Sequence, residues 1–218
     1  MSFGVQEATL TQMKDLEVGL PHYDYVGVGR DDGATKGEFS AIFYKRSELK
    51  VLNEDTFWLS ETPEKVSVGW DAALPRICTY AKFELTSSKR SFWHFNTHFD
   101  HLGETARAES AKLMVSKITA LVSEGEAIVI SGDFNAEPHE EPILVLNHSF
   151  DDPVKKVNLQ RPIGTFSGFQ LDALLDRRID YIFSQNVQVK TYQHLDTKRA
   201  NGRWISDHLP VLLSFDLN

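Results

Sequence analysis

Asp133 and Asn135 follow directly on an apolar run, Ala127-Ile128-Val129-Ile130, in the order Ser131-Gly132-Asp133-Phe134-Asn135. Three of the four residues in that run are β-branched, which predicts a buried strand. Gly132 lets the backbone turn closely at the strand end. In an extended segment residues i and i+2 point the same way, so a carboxylate and a carboxamide would leave the sheet together. Such a pair can orient a water, take its proton and hold an oxygen of a phosphate. A strand capped by an Asx turn would carry the same residues, so this stretch alone leaves both readings open.

The elements that must position this pair come next. The chain has 218 residues, with no linker tract, charge block or repeat dividing it, and reads as a single domain over 1–218. Hydrophobic residues at 41% supply a packed core. A net charge of -8 argues against a broad basic face gripping duplex DNA. Cys78 stands alone, so no disulfide forms within the chain. No apolar run is long enough to span a bilayer. A cytoplasmic protein is expected, or an exported one if a leader has been removed. Nothing in the sequence fixes an oligomeric state.

Leu10, Met13 and Leu16 share one helical face after Thr9, and Gly19 and Pro21 end that helix. Tyr23 to Val28, Phe39 to Tyr44, and Lys50 to Leu59 read as strands. Arg76 to Leu85 and Phe92 to His98 read as a hairpin around Ser87-Ser88-Lys89. Ala111, Met114, Ile118 and Leu121 then repeat at helical spacing, and Gly125 stops the helix. Pro142 opens a short helix through Leu146. Arg178 to Phe183, Val187 to Tyr192 and Leu209 to Phe215 close the chain as strands. Hairpins with two or three helices suggest an α+β fold of stacked, antiparallel-rich sheets with helices outside.

Five stretches end on polar side chains at strand ends: Gln6-Glu7, Asn96-Thr97-His98, Gly132-Asp133-Phe134-Asn135, Arg178-Ile179-Asp180-Tyr181 and Ser206-Asp207-His208. A solvated glutamate or a satisfied core histidine would explain any one of them singly. The ordered set is far more specific. With NTHFDH, GDFNAEP, RIDYIF and SDHLPV, it resembles the endonuclease/exonuclease/phosphatase superfamily, in a deoxyribonuclease I-like bacterial branch. The resemblance runs from Gln6-Glu7 to Pro210.

That resemblance implies a four-layer α-β-β-α sandwich of two mostly antiparallel sheets with outer helices. It implies Glu7 as principal ligand of a divalent metal, with Asp207 beside it. Asp133 would align the attacking water, Asn135 would fix the phosphate, and His208 would touch the phosphate with Asp180 behind it. His98 would be a second catalytic histidine with Glu38 as its carboxylate partner. Arg30 and Arg76 match loop residues near substrate. An imidazole beside a carboxylate favours its protonated form, so two dyads, Glu38–His98 and Asp180–His208, are expected to supply transition-state donors. The oxygen-rich ligand set points to Mg²⁺ or Mn²⁺. The implied substrate is a phosphate ester: nucleic acid, nucleotide, lipid headgroup or small phosphoester.

The family pattern also has an earlier strand carrying an Asn near the metal, and nothing ahead of Glu7 matches it. The expectation is therefore a sheet lacking its first strand, with weakened activity or a site completed by something else. The alternative to an enzyme is a non-catalytic relative or fragment that binds a phosphate ligand or a partner. Arg107 is expected to pair with Glu104 on the long helix, worth roughly a few tenths of a kcal/mol.

Overall fold

The computed structural model describes residues 1–157, 159 and 162–217. Among the described residues ten strands and three α-helices follow in order. They are β1 (Ser2–Gly4), α1 (Leu10–Gly19), β2 (Tyr23–Val26), β3 (Ile42–Lys45), β4 (Leu49–Trp58), β5 (Ile77–Leu85) and β6 (Ser91–His98). After these come α2 (Glu104–Leu121), β7 (Ala127–Asp133), α3 (Glu141–Ser149), β8 (Asp180–Gln185), β9 (Val187–His194) and β10 (Val211–Leu217).

A five-stranded sheet runs β4-β5-β6-β7-β8, with β6–β7 parallel and the other pairs antiparallel. Ala111, Met114 and Ile118 of α2, and Ile143 and Leu146 of α3, pack on its outer face against Phe95, Ile128, Ile130 and Phe134. Its inner face carries Ala81, Phe83, Phe92 and Val129, buried against Val26 and Ile42. Met13 and Leu16 of α1 cover the opposite side of β3, against Phe43 and Phe39. The layers are thus α, β, β, α, as the spacing and the resemblance implied.

β7 is buried along all seven residues, which explains its unbroken apolar run: both of its faces meet core. The parallel β6–β7 pair requires a crossover, and α2 supplies it. The register has a direct consequence for chemistry. His98 lies opposite Asp133, and Asp133 lies opposite Asp180. Adjacent strands sit about 4.8 Å apart, so three distant residues share one row at the sheet's rim.

The second sheet is in two pieces, β1-β3-β2 and β10-β9. Among the described residues β1 pairs only with β3, and β10 only with β9. Residues of β1 and β10 together line a groove of about 930 Å³ whose wall includes Phe92 and Val129. Gln6, Asp180, Ser206 and His208 also line this groove.

Several element bounds differ from the sequence reading for local reasons. The strand expected from Arg178 begins at Asp180, because Ile179 and Asp180 donate their N–H groups to Thr165 Oγ1 instead of to a ladder. The Arg178 side chain is spent on a buried two-bond pair with Asp152, at 2.9 and 2.7 Å. The strand expected from Leu209 begins at Val211, since Leu209 donates to Thr165 O and Pro210 has no N–H. The strand expected from Phe39 begins at Ile42, because Phe39 N–H goes to Ala8 O at 2.8 Å and ties down the residue after Glu7. Arg107 is buried and reaches Asp100 O at 3.2 Å and Glu140 at 3.9 Å, so its expected pairing with Glu104 is not formed.

Candidate active site

Asp133 is the hub. It is only 4% exposed. Its Oδ2 lies 3.5 Å from His98 Nε2 and 3.8 Å from His208 Nε2. On one side, ligand atoms of Glu7, His98 and Asp133 fall within 4.8 Å of one another. On the other, those of Asp133, Asp180 and His208 do the same. Glu7 approaches from the segment after β1, its exposed carboxylate 3.9 Å from His98 Nε2.

The strand ends at Asp133, and Asn135 adopts a left-handed φ of 46°. Asn135 N–H donates to Asp133 Oδ1 at 2.8 Å, which is an Asx turn. The two readings left open by the sequence are therefore compatible. Asn135 reaches the site by the turn and not by extended i, i+2 spacing, and its Nδ2 lies 3.2 Å from His98 Nε2 and 3.0 Å from Phe99 O. Phe134 is fully buried between them and meets Phe99, Tyr181 and Phe183 edge-on, anchoring the turn.

The expected Asp180–His208 dyad is present, with Nδ1 at 2.9 and 3.1 Å from the carboxylate oxygens. Burial opposes charge on His208, but the Asp180 bond and charge, then Asp133 and Asp207, outweigh it and raise its pKa to about 9. At neutral pH the ring is an imidazolium, with Nδ1–H committed to Asp180 and Nε2–H left as a donor. Phe166 packs edge-on against it at 5.0 Å.

The Glu38–His98 dyad is not formed. Glu38 pairs with Arg30 at 2.5 Å, because the turn between them brings the loop ends together: Arg30 N–H donates to Glu38 O at 3.1 Å. His98 is buried, and its pKa lies well below the ordinary value owing to burial, then Arg76 and Arg30, then His208 and His101. It is therefore neutral, not protonated as the dyad would require. A neutral Nε2 has one lone pair, which accepts from Asn135 Nδ2 here and would bind a metal only in place of that bond.

Burial, with Asp180 as the next cause, pushes Asp133 up to about 7, and Glu7 adds to the effect against His208 and the Asn135 N–H. Crowded carboxylates in this setting fit a divalent cation, which would offset their repulsion. Glu7, Asp133 and His98 offer the donors. Asp207 joins neither close group; its backbone O accepts from Ser167 N and Oγ, and its carboxylate lies 3.5 Å from Ser206 Oγ.

Arg30 and Arg76 are both buried and held at the end of β4, where Trp58 Nε1 donates to Arg30 O and Leu59 N to Arg76 O. Arg76 also bonds Asp100 at 3.3 Å and His101 Nδ1 at 3.0 Å. Arg30 Nε and Arg76 Nη1 have no hydrogen-bond partner among the described residues. Sequence reasoning gave Asn96 no role, although it stands two residues before His98. Its side chain is fully buried and linked to Gln6.

A four-layer sandwich with acidic and histidine side chains gathered at one rim defines a class of hydrolytic folds. The chain belongs to the Endonuclease/Exonuclease/phosphatase family, whose profile matches residues 3–208. It is 39% identical to a solved family protein of Bacteroides thetaiotaomicron, covering 100% of this chain and 83% of that one, with a TM-score of 0.94. It is 38% identical to a mannosyl-6-phosphatase of the same organism, covering 99% and 85%, also at 0.94. An uncharacterized protein of Acanthamoeba polyphaga mimivirus is 29% identical over 209 residues, 90% of this chain and 77% of that protein. No helix among the described residues is long and apolar enough to cross a membrane.

Proposed function

We propose that the protein is a divalent-metal-dependent phosphoesterase that hydrolyses a phosphate ester by in-line attack of one water. The observation that carries this reading is the pair of close groups sharing Asp133, set in one strand register. Glu7, Asp133 and His98 would hold Mg²⁺ or Mn²⁺. When bound, the metal supplies Lewis-acid stabilisation of charge on the phosphoryl oxygens.

The chain's own residues do the rest. Asp133 aligns the water and takes its proton. Imidazolium His208 donates from Nε2 to a phosphoryl oxygen, while Asp180 holds its ring. Asn135, released from His98 Nε2 where that atom takes the metal, would turn its amide to the phosphate. Arg30 and Arg76 lie on the His98 side, where buried guanidiniums can face the anionic substrate. Similarity to the mannosyl-6-phosphatase supports a hexose phosphate as the first substrate to test.

A panel tests this: a hexose phosphate, an aryl phosphate, a bis-aryl phosphodiester, a nucleotide and a lysophospholipid, each with Mg²⁺, Mn²⁺ or chelator. Hydrolysis of at least one ester with metal is expected, stopped by chelator and restored by metal. No turnover of any ester with either ion supports a non-catalytic phosphate binder instead.

A further inference from the structure

Glu7 has a left-handed φ of 62°, which a residue with a Cβ seldom adopts without being held there. Among the described residues no hydrogen bond restrains its carboxylate, which points into solvent within 3.9 Å of His98. Its direction must therefore be set by the backbone on either side. Ala8 is fixed by Phe39 N–H. The side before Glu7 is fixed by a buried amide.

That amide is Asn96, on β6 and 0% exposed. Its Nδ2 donates to Val5 O at 3.0 Å and to Ala41 O at 3.1 Å. Its Oδ1 accepts from Gln6 Nε2 at 2.7 Å and from Ser131 Oγ at 2.8 Å. Two donors and two lone pairs are all a carboxamide has, so the node is saturated. Gly4 makes room for it: a Cβ there would lie 2.1 Å from Asn96 Oδ1. One side chain thus ties the segment after β1 to the approach of β3, to β6 and to β7, one residue before the carboxylate.

We propose that Asn96 and Gln6 are positioning residues for Glu7, an amide pair that aims its carboxylate at the cation site shared with His98 and Asp133. The proposal rests on Glu7 being a metal ligand. Residues that orient a ligand from behind typically change metal affinity by about 10–100-fold.

The test uses the whole chain and Mn²⁺ alone, with free Mn²⁺ followed by electron paramagnetic resonance and melting temperature measured in parallel. Gln6→Met, at a half-buried position, is expected to raise the Mn²⁺ Kd by about 10-fold without loss of fold. Asn96→Asp, which keeps the shape but sets an acceptor against two carbonyls, is expected to weaken binding at least as much. Glu7→Gln is the control. In the Glu7→Gln background Gln6→Met is expected to have no further effect, since it acts through Glu7. Equal weakening by Gln6→Met in both backgrounds, or none in the wild type, overturns the proposal. Unchanged Mn²⁺ affinity in Glu7→Gln overturns instead the assignment of Glu7 as ligand.

Discussion

Asp133→Asn is expected to lower turnover of a generic bis-aryl phosphodiester by on the order of 10³-fold or more, with the fold intact. The substitution keeps the shape of the side chain and removes its ability to take a proton. A second consequence separates this loss from unfolding. In the metal-free protein Asp133 titrates at about 7, raised first by burial and then by Asp180, against roughly 3.9 in an unfolded chain. The folded state therefore binds the extra proton between those values. Its contribution to stability is fully present below about 4 and is lost as pH rises to about 7. Asp133→Asn removes that loss, so the metal-free variant should melt higher than the wild type above pH 7. An Asp133→Asn protein that keeps the full rate contradicts the role given to this carboxylate.

The second large effect concerns His208. His208→Ala is expected to slow the reaction by about 10²–10³-fold, as removal of a preorganised donor does. The pH profile identifies the mechanism. With its pKa near 9, His208 stays charged at neutral pH, and the wild-type rate should fall as pH rises through about 9. Asp180→Asn removes the principal support of that charge and should move the fall down toward the ordinary histidine value of about 6.5. Stability follows the same sign: the contribution of His208 is fully present below about 6.5 and lost through about 9. A high-pH limb unmoved by Asp180→Asn would show that this limb does not report His208.

Much of this was legible in the chain. Strand-end stretches named Glu7, His98, Asp133, Asn135, Asp180 and His208, and all of them meet at one rim. Helix and strand periodicity gave stacked sheets with helices outside, because the apolar residues that bury each face recur at the spacing of the element, and the family resemblance gave the four layers. What was not legible is pairing between side chains. Nothing in a sequence says that Glu38 turns back to Arg30, eight positions away, and leaves His98 to Asn135 and Asp133. The resulting burial also reverses the expected protonation of His98. Thr165 was equally hidden: a loop hydroxyl takes two backbone N–H groups and so delays the strand that presents Asp180. The row His98, Asp133, Asp180 depends on register across a parallel crossover, which apolar run lengths do not encode.

The central claim is that residues distant in number hold one hard cation at a common rim, and locating Mn²⁺ in crystals by its anomalous scattering tests it most directly. The account predicts a peak about 2.1 Å from oxygens of Glu7 and Asp133, at a bond length typical of small divalent ions. A peak elsewhere on the molecule, or none at a Mn²⁺ concentration that supports hydrolysis, contradicts it.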